Sequence, residues 1–273
     1  MANLSGMAEP TSSDPPLIVE RSDGVVSAVM NRPEKKNAAN GPMWNAMLEL
    51  FQEVTRNPND RVLVLTGAGG AFCSGADITD TTGVVGDNSN HPLFRMRFLA
   101  DVVLALHRIP KPTIAKVRGI AAGAGMSLAL GCDLVVCADG ARFSEIFALR
   151  GLAVDGGSSW LLPRLVGLQR AKELAFFADI ISADQAFNLG LVNRVLPDCE
   201  LDSFVEEWSK RLAKGPPLAL SLTKTLLNNS FAVSMDQALE DEARAQSVNL
   251  SSSDTAEALR AFVERREPRF EGR

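Results

Sequence analysis

Apolar and polar positions fall into blocks along the chain. Residues 17–20 and 25–30 are short apolar-rich runs on either side of Ser22-Asp23-Gly24, a spacing that predicts a β-hairpin. A helix follows, with Asn40 or Gly41 as its cap and Pro42 in its first turn. Trp44, Met47, Leu48 and Phe51 then recur at i, i+3, i+4 and i+7. Residues 61–66 (RVLVLT) form a continuous apolar run, the pattern of a strand buried on both faces, and end in Gly67-Ala68-Gly69-Gly70. Residues 79–92 read as a mobile insert without regular structure, and 93–108 as a helix stopped by Pro110. Residues 113–117 then read as a strand, 119–125 as a Gly/Ala turn, 126–130 as a helix and 134–138 as another strand. After Pro197 only helical periods remain, over 200–214, 217–229, 234–249 and 254–266, divided by Gly215-Pro216-Pro217 and Ser251-Ser252-Ser253. The alternation predicts an α/β fold of stacked units. Its expected organisation is a disordered leader (1–15), an α/β core (16–197) and a C-terminal helical region (198–273) that docks on the core or on a neighbouring subunit.

Composition narrows the function. With 28 Lys+Arg against 33 Asp+Glu the net charge is −5, and no basic block is present. That argues against a nucleic-acid protein, whose affinity comes largely from phosphate neutralisation. Cys73, Cys132, Cys137 and Cys199 make no CxxC pair, and His91 and His107 are the only histidines, so neither zinc spacing nor a disulfide framework is visible. The cysteines read as buried hydrophobes in a reducing compartment. The leader has neither signal- nor transit-peptide character, and the longest apolar run, 128–137, is interrupted by Asp133. A cytoplasmic protein without metal or membrane partner is expected.

Two glycine loops, 67–78 and 119–128, each follow a buried strand. Neither is a nucleotide fingerprint: the third glycine of GxGxxG would fall on Phe72 or on Leu128, and no GK[ST] ending is present. Small residues also let a ligand approach the backbone, and N–H groups at a helix start carry partial positive charge. Two such groups facing one point make an oxyanion hole. Close packing of strand on helix is the alternative use of the same glycines.

Taken in order, the motifs resemble those of the crotonase (enoyl-CoA hydratase/isomerase) superfamily over residues 16–270. They are Asn31-Arg32-Pro33 with Asn37 and Ala38, AFCSGADI (71–78), KPTIAKVRGIAAGAGM (111–126), ALGCD (129–133), LLPRLVG (161–167), GLVNRVL (190–196) and AFVERREPRFE (261–271). The resemblance implies a spiral of repeated ββα units and a homotrimer or a hexamer made of two trimers. It also implies an acyl-CoA thioester as substrate, with no separate cofactor because coenzyme A is part of that substrate. The thioester carbonyl would sit between the backbone N–H groups of Ala76 and Ala124. Asn37, Ala38 and Asp77 would lie along the CoA, and Arg265 would meet its phosphates from a terminal helix. Residues 79–93 with Phe94, Phe98 and Val102 would border the acyl pocket, unless that stripe is simply core.

The carboxylates depart from the hydratase pattern. Two glutamates serve family hydratases; their positions hold Ser127 and Phe147 here. Hydration needs one group to activate water and another to protonate carbon. Asp155, in GLAVDGGSSW (151–160), matches the aspartate of dienoyl-CoA isomerases, of the ring-epoxide isomerase of phenylacetate breakdown and of chlorobenzoyl-CoA dehalogenase. One base can remove a proton from one carbon of a dienolate and return it to another, so the expected reaction is a double-bond shift with Asp155 as proton shuttle. Capping the next helix is the alternative role for Asp155, and the two are compatible. Ser127 and Glu145 are auxiliary candidates; capping its own helix is the plain role for Ser127, and a surface or salt-bridged position the plain one for Glu145. Asp133 resembles a structural position, and neither histidine matches a catalytic one. Three other functions remain open: a hydratase with a different acid/base set, a non-catalytic acyl-CoA binder, and a hydrolase using Ser127 with His107 or His91.

Overall fold

The computed structural model describes residues 14–79 and 91–273. Nearly all of the expected leader, and positions 80–90 of the expected insert, therefore lie outside the described residues. Strand β1 (Leu17–Ser22) pairs antiparallel with β2 (Val25–Met30) through a turn in which Asp23 and Gly24 both take positive φ. Helix α1 (Gly41–Arg56) starts where the Asn40 side chain accepts a hydrogen bond from the Met43 N–H, 3.1 Å away. It buries Trp44, Met47 and Phe51 on one face, with Leu48 half-buried at its edge. Strand β3 (Val62–Gly67), helix α2 (Pro92–His107) and strand β4 (Thr113–Val117) follow.

The segment expected as a plain Gly/Ala turn holds a short strand, β5 (Ile120–Ala122), before α3 (Ala124–Gly131) and β6 (Leu134–Ala138). Glycine-rich sequence hides it, because its partner comes from elsewhere in the chain. That partner is β7 (Arg142–Ser144), parallel to β5 and itself antiparallel to β8 (Ile181–Ser182). Helices α4 (Ser158–Val166) and α5 (Leu168–Phe177) lie between β7 and β8, and α6 (Ala183–Asn188) leads into β9 (Arg194–Leu196). The chain then turns wholly helical: α7 (Asp198–Ala213), α8 (Pro217–Asn229), α9 (Met235–Leu250) and α10 (Ser253–Glu264).

The main sheet has the order β1-β2-β3-β4-β6-β9 and is parallel from β2 onward. Its two faces explain the unbroken apolar run of β3. Leu63 and Leu65 point into the large core with α1, α2 and α3, whereas Val62 and Val64 meet Leu201 and Val205 of α7 on the other side. Cys73, Cys132 and Cys137 are buried free thiols as expected, and burial pushes them up to about 11, 12 and 12. Cys199 is the exception: at the start of α7 it is exposed. Among the described residues no helix is long and apolar enough to cross a membrane, and no cluster of side chains has the make-up of a metal site.

Candidate active site

The second, smaller sheet brings the two glycine loops together. Cys73 bonds both sides of Ala121, through Cys73 N–H to the Ile120 carbonyl (3.0 Å) and Ala122 N–H to the Cys73 carbonyl (3.0 Å). Ala39 likewise pairs with the segment around Ala76, donating to the Gly75 carbonyl (2.8 Å) and accepting from the Asp77 N–H (2.9 Å). In such a parallel bridge the central residue turns its own N–H away from the partner, so the Ala76 N–H faces the opposite side. That side is the start of α3. A Cβ on Gly75 would lie 3.1 Å from the Ala122 carbonyl oxygen and 3.9 Å from the Ala124 nitrogen, and one on Gly125 only 2.2 Å from the Cys73 carbonyl oxygen. The glycines are therefore both packing residues and a cradle.

Ala124 is the first residue of α3, entered from Gly123 at φ 52°, and its N–H has no intrahelical acceptor. Among the described residues, neither the Ala76 nor the Ala124 N–H donates a hydrogen bond within the chain. Both open into a cleft of about 820 Å³ whose lining includes Gly75, Ala76, Ala124, Phe147 and Asp155. A larger groove, about 1280 Å³, runs beside α10 and the last residues of the chain and contains neither of these N–H groups.

One side of the cleft is fully bonded to itself. Asn37, completely buried at φ 56°, donates to the Ala68 (2.8 Å) and Ala71 (2.7 Å) carbonyls and accepts from the Arg32 N–H (2.9 Å). Arg32 donates to the Ala38 carbonyl (2.6 Å) and to Asp77 (3.0 Å), while Thr79 donates twice to the other Asp77 oxygen. Burial works to raise the Asp77 carboxyl, but the hydrogen bonds from Thr79 and Arg32 outweigh it and hold the group below its ordinary range. The side chains of Asn37 and Asp77, expected along the CoA, are thus occupied in building the turn; Ala38 and Asp77 do line the cleft. Sequence reasoning missed Arg32 as their organiser, and missed Lys36, Arg142 and Arg150, which also line the cleft and supply positive charge to it.

The other side is short of partners. Asp155 does not cap α4: the N-cap is Gly157, no side chain bonds the helix start, and Ser158 N–H reaches the Asp155 carbonyl of the main chain instead (3.0 Å). Its Oδ1 is buried with no hydrogen bond, and burial raises its carboxyl above the ordinary range. Glu145 is not at the surface, as a charged residue near a strand end would be expected to be. It is 1% exposed, bonded at Oε1 by the Ser158 hydroxyl (3.0 Å), with Oε2 buried and unpartnered. Burial, reinforced by the Asp155 charge and opposed by the Ser158 hydrogen bond, pushes Glu145 up to about 7. Ser127 does not cap its helix either; its buried hydroxyl lies 2.9 Å from the Ser158 hydroxyl and 3.2 Å from the carbonyls of Gly123 and Asp155. Gly156, at φ 58°, allows this contact, since a Cβ there would fall 2.7 Å from Ser127 Cβ. Ser158 went unnoticed in the sequence, although a hydroxyl three residues after Asp155 was the available signal.

The remaining candidates separate from the cleft. His91 caps α2, its Nδ1 accepting from the Leu93 N–H (3.2 Å), and His107 stacks edge-on to Trp160 with ring centres 5.4 Å apart. No histidine bonds Ser127, so a Ser-His hydrolase arrangement is not formed. Asp133 is structural, accepting from Thr113 and Lys224. Arg265 ends α10 at φ 55°, exposed and outside the cleft. Phe98 and Val102 pack into the core and Phe94 is exposed; none of the three lines the cleft.

Known proteins share this architecture. The sequence model described as enoyl-CoA hydratase/isomerase matches residues 20–273, and the chain belongs to that family of enzymes acting on CoA thioesters. It is 37% identical to the 1,2-epoxyphenylacetyl-CoA isomerase of Escherichia coli K12 over 251 residues, 92% of this chain and 96% of that protein. It is 32% identical to 4-chlorobenzoyl coenzyme A dehalogenase-1 of an Arthrobacter species over 253 residues, 92% of each chain. The crystal structure of an enoyl-CoA hydratase from Bacillus anthracis superposes with a TM-score of 0.89 at 30% identity, covering 94% of this chain and all of that one. The crotonase fold expected from the motifs is the fold observed. Isomerase, dehalogenase and hydratase names all occur among relatives this similar, so membership leaves the reaction to the side chains of the cleft.

Proposed function

We propose that the protein shifts a double bond within an enoyl-CoA, with Asp155 as proton shuttle and the N–H groups of Ala76 and Ala124 as oxyanion hole. The observation that carries this reading is the Asp155 carboxyl: it lines the cleft with Ala124, and one of its oxygens is buried without a partner. The other cleft carboxylate, Asp77, is already bonded to Arg32 and Thr79. The Asp155 carboxylate takes a proton from one substrate carbon, and the C–H electron pair moves into the conjugated thioester as an enolate. The two N–H groups stabilise the enolate oxygen where its charge develops. The pair then returns to a different carbon, which takes the proton back from Asp155. Atoms and electrons balance within the substrate, and no second carboxylate is needed. Phe147, where hydratases carry a glutamate, lines the cleft with an apolar ring that offers nothing to activate water.

Exposed Leu227, Met235, Leu259, Phe262 and Val263 on the terminal helices, with Phe231 in the turn between α8 and α9, support assembly of several copies, in keeping with the expected trimer or hexamer. Buried free thiols suit a reducing, cytoplasmic setting. The test of the reaction is incubation with crotonyl-CoA, 3-hexenoyl-CoA and a dienoyl-CoA in deuterated water, followed by mass spectrometry. A moved double bond or deuterium uptake, without added water, is expected. Gain of a water mass would replace this reading with hydration, and tight binding without any change would replace it with an acyl-CoA binder.

A further inference from the structure

Behind the cleft lies a buried chain of polar side chains that the proton shuttle itself does not use. It runs from Glu145 Oε1 to the Ser158 hydroxyl (3.0 Å), on to the Ser127 hydroxyl (2.9 Å), and ends at the carbonyl of Asp155 (3.2 Å). Glu145, Ser158 and Ser127 are each 1% exposed, so water does not compete for these bonds. Each hydroxyl has one proton to give, and that count decides what the chain can do. If Glu145 is ionised, Ser158 donates to it, and the single Ser127 proton has three acceptors in reach: the Ser158 hydroxyl and the Gly123 and Asp155 carbonyls. If Glu145 is protonated, it can donate to Ser158 and Ser158 to Ser127, which leaves the Ser127 proton to the Gly123 and Asp155 carbonyls, each 3.2 Å away. Burial and the neighbouring Asp155 charge both favour the protonated form, which removes one buried charge from a pair of acids.

We infer that Glu145 is a positioning residue: through the Ser158 and Ser127 hydroxyls it anchors the Asp155 turn on α3, beside Ala124. The inference rests on Asp155 being the proton shuttle. Ser127 is the hinge of this arrangement, since Gly156 packs on its Cβ and its own helix carries Ala124 at the first position. Loss of the chain leaves the Asp155 carboxyl in the cleft but free to wander, and a base displaced by about 1 Å can cost as much as 10²-fold in rate.

Four variants are compared for the rate of double-bond movement in 3-hexenoyl-CoA, alongside thermal melts. Glu145→Gln keeps a donor toward Ser158 and is expected to hold kcat within about threefold of the wild type. Glu145→Leu, of similar size and without a donor, is expected to lower kcat by about ten- to a hundredfold with KM within about threefold. Ser158→Ala cuts the chain at its middle, gives the same signature, and serves if the leucine variant does not fold. Wild-type kcat in Ser158→Ala or Glu145→Leu overturns the inference, as does a raised KM at unchanged kcat. A Glu145→Gln loss as large as that of Glu145→Leu also overturns it, because the acid proton itself would then be required. Asp155→Asn distinguishes the two proposals: double-bond movement that persists in it, or is absent from the wild type, defeats the shuttle and the inference together. An inactive Asp155→Asn beside a fully active Glu145→Leu defeats the inference alone.

Discussion

The two walls of the cleft are built on opposite terms. On the side where Arg32 and Asn37 back the lining residue Asp77, the polar side-chain atoms that hold the turn bond one another or the backbone. On the facing side, Asp155 in the lining and Glu145 behind it each keep a buried oxygen without a partner. Buried polar groups left unmade cost about 1–3 kcal/mol each, so folding alone would remove them. The first side is scaffold around Ala76; the second keeps an unpartnered carboxylate oxygen of the lining residue Asp155. Stability and activity should therefore respond in opposite ways to the same kind of substitution on the two sides.

The sharpest test is Asp155→Asn. It keeps the shape and removes the base, so kcat should fall about 10²–10⁴-fold while acyl-CoA affinity, measured by calorimetry, stays within about threefold. Because burial disfavours the Asp155 charge, the variant should also unfold at a slightly higher urea concentration than the wild type. Turnover retained in this variant would erase the contrast between the walls.

On the scaffold side, Asn37→Ala strands the Ala68 and Ala71 carbonyls and the Arg32 N–H. We expect a loss of about 3 kcal/mol or more in urea unfolding. If Asn37 instead served the CoA through its side chain, KM would rise with stability intact.

The Glu145 carboxyl, raised from 4.5 to about 7, yields a pH signature. Between those values the native state keeps a proton that the unfolded chain has lost, so stability falls as pH rises through that window and levels off above about 7. The total is on the order of 3 kcal/mol, with Asp155 adding in the same sense. Urea unfolding at pH 5 and pH 8 should show most of this slope vanish in Glu145→Gln; an undiminished slope would place the titrating group elsewhere.

The smallest effect is expected from Asp77→Asn, the counterpart of Asp155→Asn on the bonded wall. Asp77 is held below its ordinary range, so its contribution is present above the unfolded carboxylate pKa and is lost as pH falls through the folded value. Replacing it should cost about 1 kcal/mol at neutral pH and lower kcat by less than about fivefold. A kcat loss rivalling that of Asp155→Asn would mean that Asp77 takes part in the chemistry.

Much of the scaffold was legible in residue order. The hairpin, the capped α1, the two-sided apolar run of β3 and the all-helical end follow from periods and caps that act over a few residues. The same holds for the position of Asp155 and the glycines around Ala76 and Ala124, which are punctuation that local sequence displays. β5 was hidden because three Gly-flanked residues become a strand only when Cys73 and β7 arrive on either side.

The sequence by itself determined the fold family, the glycines around Ala76 and Ala124, and the absence of a carboxylate at positions 127 and 147, since each depends on residue identity and short spacing. Tertiary structure alone decided which polar groups are spent and which are free. Asn37 and Asp77 turned inward because Arg32 lay 5 and 45 residues away in the chain yet within hydrogen-bond reach. Glu145 became a buried acid because Ser158, 13 residues on, and the Asp155 turn closed over it. Hydrogen-bond satisfaction and desolvation are properties of what surrounds a group on all sides, and only the folded chain supplies those surroundings.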